Sequence, residues 1–154
     1  MAVVVVPDPC ERRARIVASA RGWIGTPYRH QASLRSAGAD CLGLVRGVWR
    51  EIVGPEPVTP PPYTRAWDEC AREETLWRAL DELLDPTPEA LEGDILLFRM
   101  MDGAPAKHLA IRASDPGGRP TIIHAYSGRS VVETALTFGW RSRTVATFGF
   151  PVEN

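Results

Sequence analysis

The apolar pattern of this chain changes period near its middle, and that change constrains the fold more than any other feature. Up to residue 84 the apolar residues recur at helical spacing; after residue 93 they collect in short runs divided by turn signals. Asp8-Pro9-Cys10-Glu11 reads as a helix start, with Asp8 as N-cap, Pro9 in the first helical position and Glu11 closing a capping box. Ile16, Val17, Ala20 and Trp23 give this helix its stripe, and Gly22 and Gly25-Thr26-Pro27 end it. Residues 28–39 are polar and glycine-punctuated and read as a loop. Asp40 then caps a second helix over 41–52, where Val45, Val48, Trp49 and Ile52 follow i, i+3, i+4, i+7 before Gly54-Pro55 stops it. The proline-rich stretch 54–63 predicts an extended surface crossing. A third helix is expected over 65–84, with Leu76, Trp77, Leu80, Leu83 and Leu84 on one face and Pro86 and Pro88 closing it.

The second half supplies strands. Asp94–Met100, Lys107–Arg112, Thr121–Ala125, Val131–Ala135 and Arg143–Phe150 are rich in Ile, Leu, Val, Phe and Thr. Asp102-Gly103, Asp115-Pro116-Gly117-Gly118, Ser127-Gly128 and Gly139 mark the turns between them. Helices first and an antiparallel meander second define an α+β fold. The 154 residues fit one domain, 1–154, long enough to bury its own core.

Composition excludes several classes. A net charge of −1 lacks the basic excess that a nucleic-acid binder gathers on one face. The three cysteines, Cys10, Cys41 and Cys70, are odd in number and widely spaced, which fits reduced thiols rather than a disulfide framework or a zinc ribbon. The N-terminal valine run has no basic leader and is too short to span a bilayer, so synthesis in the cytoplasm without a signal peptide is expected, and no membrane insertion.

Cys41 carries the chemical interest. It follows an N-cap, so it lies in the first turn of a helix, where partial positive charge and open N–H groups lower a thiol pKa and can hold an oxyanion. Position alone serves equally a nucleophile or a small buried hydrophobe. Cys10 also falls near a helix start, but beside Glu11, and Cys70 lies among Glu69, Glu73 and Glu74; both read as structural. Of the three histidines, His30 sits in the polar loop and reads as exposed, His108 opens one strand and His124 closes the next. Pairing those strands across the loop 113–119 sets Arg112 opposite Thr121 or Pro120; the symmetric choice, Pro120, puts His108 directly opposite His124 on one face. A one-residue slip would turn His124 away. Thiol and imidazoles together form a nucleophile–base–orienter series. A zinc site of Cys41, His108 and His124 is the weaker reading, because no two ligands are closely spaced.

These residues resemble a known family. Gly25-Thr26-Pro27-Tyr28, then Gly38-Ala39-Asp40-Cys41-Leu42-Gly43-Leu44, Glu92-Gly93-Asp94-Ile95-Leu96-Leu97-Phe98, Lys107-His108-Leu109-Ala110-Ile111 and Ile123-His124-Ala125 follow the motif order of the NlpC-type cell-wall cysteine peptidases. The stretch from Gly25 to Trp67 is most similar to cell-wall peptidases encoded by phages and gene transfer agents. The resemblance implies a papain-like α+β fold with the cysteine helix packed on an antiparallel sheet. It implies Cys41 as nucleophile, His108 as general base and His124 as its orienter. Tyr28 would help hold the oxyanion or the substrate, and Asp40 would line the pocket and cap the helix. It implies cleavage of the bond between D-γ-glutamyl and a diamino acid in peptidoglycan stem peptides, with no cofactor and no metal. Delivery would fall to a phage-like particle and its tail proteins. Leu42 stands where many relatives have serine, a change expected to alter the pocket, and Leu109-Ala110 replaces the commoner Val-Gly; neither removes a catalytic group. Two other functions fit the same residues. One is an amidase or acyltransferase on this fold; the other is a tail-assembly protein that docks through 55–62 and the Trp67 region.

Overall fold

A computed structural model of the chain describes residues 2–3, 5–58 and 74–152. Helices α1 (Pro9–Arg21) and α2 (Cys41–Ile52) form where the periodicity places them. Their starts differ from each other. Asp8 precedes α1 but makes no side-chain cap bond, so the expected capping box with Glu11 is not built. Pro9, in the first helical position, has no N–H and so leaves one fewer open donor at the helix start. Asp40 does cap α2, accepting from the Gly43 N–H. The stretch 28–39, expected as loop, contains a small antiparallel hairpin of β1 (Ser33–Leu34) and β2 (Gly38–Ala39). Two-residue strands are too short to leave a period in the sequence.

Of the third helix the described part is α3 (Thr75–Leu83). Residues 65–73, with Trp67 and Cys70, lie outside the described residues, as do 59–63 of the proline-rich stretch. Leu76, Leu80 and Leu84 are buried, as the stripe predicts. Pro86 does not simply stop the helix: it lies in β3 (Asp85–Thr87), an edge strand paired with β8 (Thr144–Gly149). An edge strand tolerates the missing proline N–H.

Four strands make the expected meander: β4 (Ile95–Phe98), β5 (His108–Ser114), β6 (Pro120–Ala125) and β7 (Val131–Ala135). The last strand departs from it. After β7 the chain forms helix α4 (Phe138–Arg143), where Gly139 suggested only a turn, and crosses back so that β8 pairs with β4. Sheet order is β3-β8-β4-β5-β6-β7. The β5–β6 register also differs from the symmetric expectation: Arg112 pairs with Ile122, two residues from Pro120. His108 and His124 are therefore diagonal neighbours rather than directly opposite, but a two-residue shift leaves them on one face.

Strand alternation gives the sheet two apolar faces. One packs Ile95, Leu97, Leu109, Ile111 and Ile123 against Ile16, Val17, Leu44 and Val48 of α1 and α2. The other buries Leu96, Phe98, Ala110 and Ile122 under Leu136 and Trp140. Both histidines share this second face by parity, while the start of α2 meets β5 from the first.

Candidate active site

The site grows from the start of α2. Both Asp40 oxygens are used locally: Oδ1 accepts from Gly43 N and Oδ2 from Gln31 N, each at 2.7 Å. The second bond ties the preceding loop, with Gln31 at φ 64°, onto the helix start. The loop sits so close that a Cβ on Gly43 would lie 1.8 Å from the Ala32 carbonyl oxygen. Glycine at this position is thus a requirement of close packing. Tyr28 bridges Ala39, just ahead of Asp40, and its side chain packs on the same core cluster as Cys41.

Cys41 itself is half-buried, with its sulfur closely surrounded by protein. The thiol donates to the Lys107 carbonyl oxygen at 3.4 Å, so the nucleophile candidate lies against the first residues of β5, next in the chain to His108. The expected low thiol pKa is not what this environment produces. Burial first, and then the Asp40 carboxylate, push the thiol up to about 12. Backbone N–H groups of Leu109, Leu42 and Cys41 pull the other way and lose. The same carboxylate that caps and orders the helix start sets a negative charge beside the sulfur.

The histidines are brought together. His108 Nε2 and His124 Nδ1 lie 2.8 Å apart, and His124 Nε2 is 3.2 Å from Thr134 Oγ1. Trp140 stacks on His108 with ring centroids 5.5 Å apart, and Phe98 and Tyr126 complete an aromatic wall. Enclosure lowers His108 to about 3, with the neighbouring His124 adding to the effect, and lowers His124 to about 4. Both imidazoles rest neutral, as does the thiol. This is a site of neutral groups, not a preformed thiolate–imidazolium pair.

His30 is half-buried rather than exposed, its Nε2 being 3.4 Å from the Gln31 side chain in the loop that leads to Asp40. Among the described residues no group of three His, Cys, Asp or Glu side chains is placed to hold a metal ion, and no helix is long and apolar enough to cross a membrane. Phe98, Tyr126, Thr134 and Trp140 join the site without being among the residues expected from the sequence. Tyr126 continues the alternation Ile122, His124, which was a usable signal. Trp140 lay hidden in α4, whose start is marked only by Thr137 accepting from the Trp140 N–H.

The chain thus has a papain-like α+β fold, N-terminal helices on an antiparallel sheet, of the kind seen in NlpC/p60 domains. No protein-family model matches the sequence, and no curated protein is similar to it. Solved structures are. The NlpC/p60 domain of the peptidoglycan hydrolase SagA is 25% identical with a TM-score of 0.59, covering 90% of this chain and 98% of that one. A lipoprotein-like protein of the NLP/P60 family from Staphylococcus aureus is 16% identical with a TM-score of 0.61; all of this chain matches 46% of it. An N-acetylmuramoyl-L-alanine amidase from Bacteroides uniformis shares the fold at 11% identity and a TM-score of 0.57, over 90% of this chain and 97% of that one.

Proposed function

We propose that this protein is a cysteine hydrolase acting on peptide bonds of bacterial peptidoglycan, with Cys41 as nucleophile, His108 as general base and His124 as its orienter. One observation carries the reading: a helix-tip thiol held against the start of β5, whose first residue, His108, is hydrogen-bonded at 2.8 Å to a second histidine. The SagA-like fold supports the substrate class.

Because thiol and imidazole rest neutral, the proton leaves sulfur for His108 as the carbon–sulfur bond forms, and not before. Backbone N–H groups at the start of α2 and the Tyr28 hydroxyl stabilise the oxyanion. His108 returns the proton to the amine as the amide C–N bond breaks. Water then adds to the thioester with His108 as base, releasing the carboxylate and the thiol. The bond we assign is D-γ-glutamyl to diamino acid, and the route to the wall is a phage-like particle.

The test is digestion of purified peptidoglycan, followed by amine release and mass analysis of the fragments. Wild type is expected to free the amine of the diamino acid, and Cys41→Ala nothing. Fragments cut between muramic acid and alanine would replace the peptidase assignment with an amidase one. No new amine from any wall preparation would overturn the enzyme reading.

A further inference from the structure

Phe98, His108, His124 and Thr134 stand on one face of four adjacent strands, β4 to β7. The first three belong to the site above. Thr134 takes no step in the reaction proposed above, yet its hydroxyl lies 3.2 Å from His124 Nε2. We propose that Thr134 is a positioning residue: by accepting the His124 Nε2 proton it fixes the tautomers of both histidines and leaves His108 Nδ1 bare to receive the Cys41 proton. The inference rests on the reading of Cys41 and His108 given above.

A proton inventory carries it. Each neutral imidazole has one N–H and one lone pair. His108 Nε2 faces His124 Nδ1, so one of the two carries the proton between them. If it is His108 Nε2, then His124 accepts at Nδ1, bears its own proton on Nε2 and donates it to Thr134 Oγ1. Every ring N–H in the row is then paired, and His108 Nδ1 is an open lone pair. In the opposite arrangement Thr134 donates to His124, His124 Nδ1 donates to His108 Nε2, and the His108 proton moves to Nδ1. No described residue hydrogen-bonds His108 Nδ1, so that arrangement leaves an enclosed N–H donor unpaired, which is costlier than an unpaired lone pair. It also removes the base. Thr134 suits the acceptor role because it is exposed on the edge strand β7, where its own O–H can point to water. The neutral resting state of both rings is what gives tautomers, rather than charge, the deciding role.

The experiment reads tautomers directly. Long-range proton–nitrogen correlation on the nitrogen-labelled full chain near neutral pH is compared for wild type, Thr134→Val and Thr134→Ser. Wild type is expected to show Nε2–H on both His108 and His124. Thr134→Val, which keeps the shape and strand propensity, is expected to populate Nδ1–H, and Thr134→Ser to restore the wild-type pattern. In wall hydrolysis, Thr134→Val is expected to lose about tenfold in kcat with little change in KM, the scale of one such hydrogen bond, and Thr134→Ser to recover it. Wild-type His124 protonated on Nδ1, or unchanged tautomers in Thr134→Val, would overturn the proposal whether or not the protein cuts wall. Tautomers that shift as expected in a protein that cuts no wall support the relay and sink only the hydrolase reading.

Discussion

Two helices of this protein begin with an aspartate and carry a cysteine in the first turn, and only one of them builds a site. Cys10 in α1 and Cys41 in α2 share the partial positive charge of a helix N-terminus. Cys10 is exposed, and Asp8 makes no cap bond. Cys41 is held against β5, and Asp40 binds two backbone N–H groups with both oxygens. The difference teaches that a helix tip by itself does not mark out a candidate nucleophile. What distinguishes Cys41 is what the rest of the chain brings to it: a tight loop on one side and a histidine-bearing strand on the other.

The sharpest way to break this comparison is to delete each thiol. Cys41→Ala is expected to lower peptidoglycan hydrolysis by at least about a thousandfold, while Cys10→Ala leaves it unchanged, read by amine release. Alkylation comes next. With its thiol pushed up to about 12, Cys41 of the free protein carries far less thiolate than an ordinary cysteine. Cys10 is therefore expected to react with iodoacetamide far faster at pH 7.5, with mass mapping of the labelled peptides as the check. A Cys41 that outpaces Cys10 would mean that the helix N-terminus outweighs burial and Asp40.

The caps offer a third contrast. Asp40→Ala removes an N-cap and the tie to Gln31 together, and is expected to destabilise the protein by about 2 kcal/mol in denaturant unfolding. Asp8→Ala, which removes no side-chain cap bond, is expected to stay within about 0.5 kcal/mol. The last contrast is the acid dependence of stability. Folding lowers His108 to about 3 and His124 to about 4 from 6.5, so the unfolded chain takes up protons first as pH falls. The stability tied to these rings is whole above about pH 6.5 and is lost as pH falls through 4 and 3. His124→Gln is expected to flatten that slope in unfolding experiments between pH 7 and 4.

Much of this fold is legible because its rules are local. The α2 start at Cys41, the Asp40 cap and the stripes of α1 and α3 each depend on residues within a turn or two of one another. The elements that escaped are those without a local period: the two-residue strands β1 and β2, the proline-bearing edge β3 and the short α4. The return of β8 to β4 escaped for a different reason, since pairing partners far apart in the chain leave no mark on either strand. The candidate site divides the same way. Cys41, His108 and His124 are visible as residues of the right type, while Phe98, Tyr126, Thr134 and Trp140 acquire their roles only through register and crossing.

The sequence by itself determined a capped helix with a thiol in its first turn, and two strands each bearing a histidine, because capping and alternation are set by neighbours in the chain. Only the tertiary structure decided which nitrogen faces which, and that thiol and imidazoles rest neutral. Those outcomes depend on the β5–β6 register and on burial by residues distant in sequence, and desolvation here outweighs the helix N-terminus.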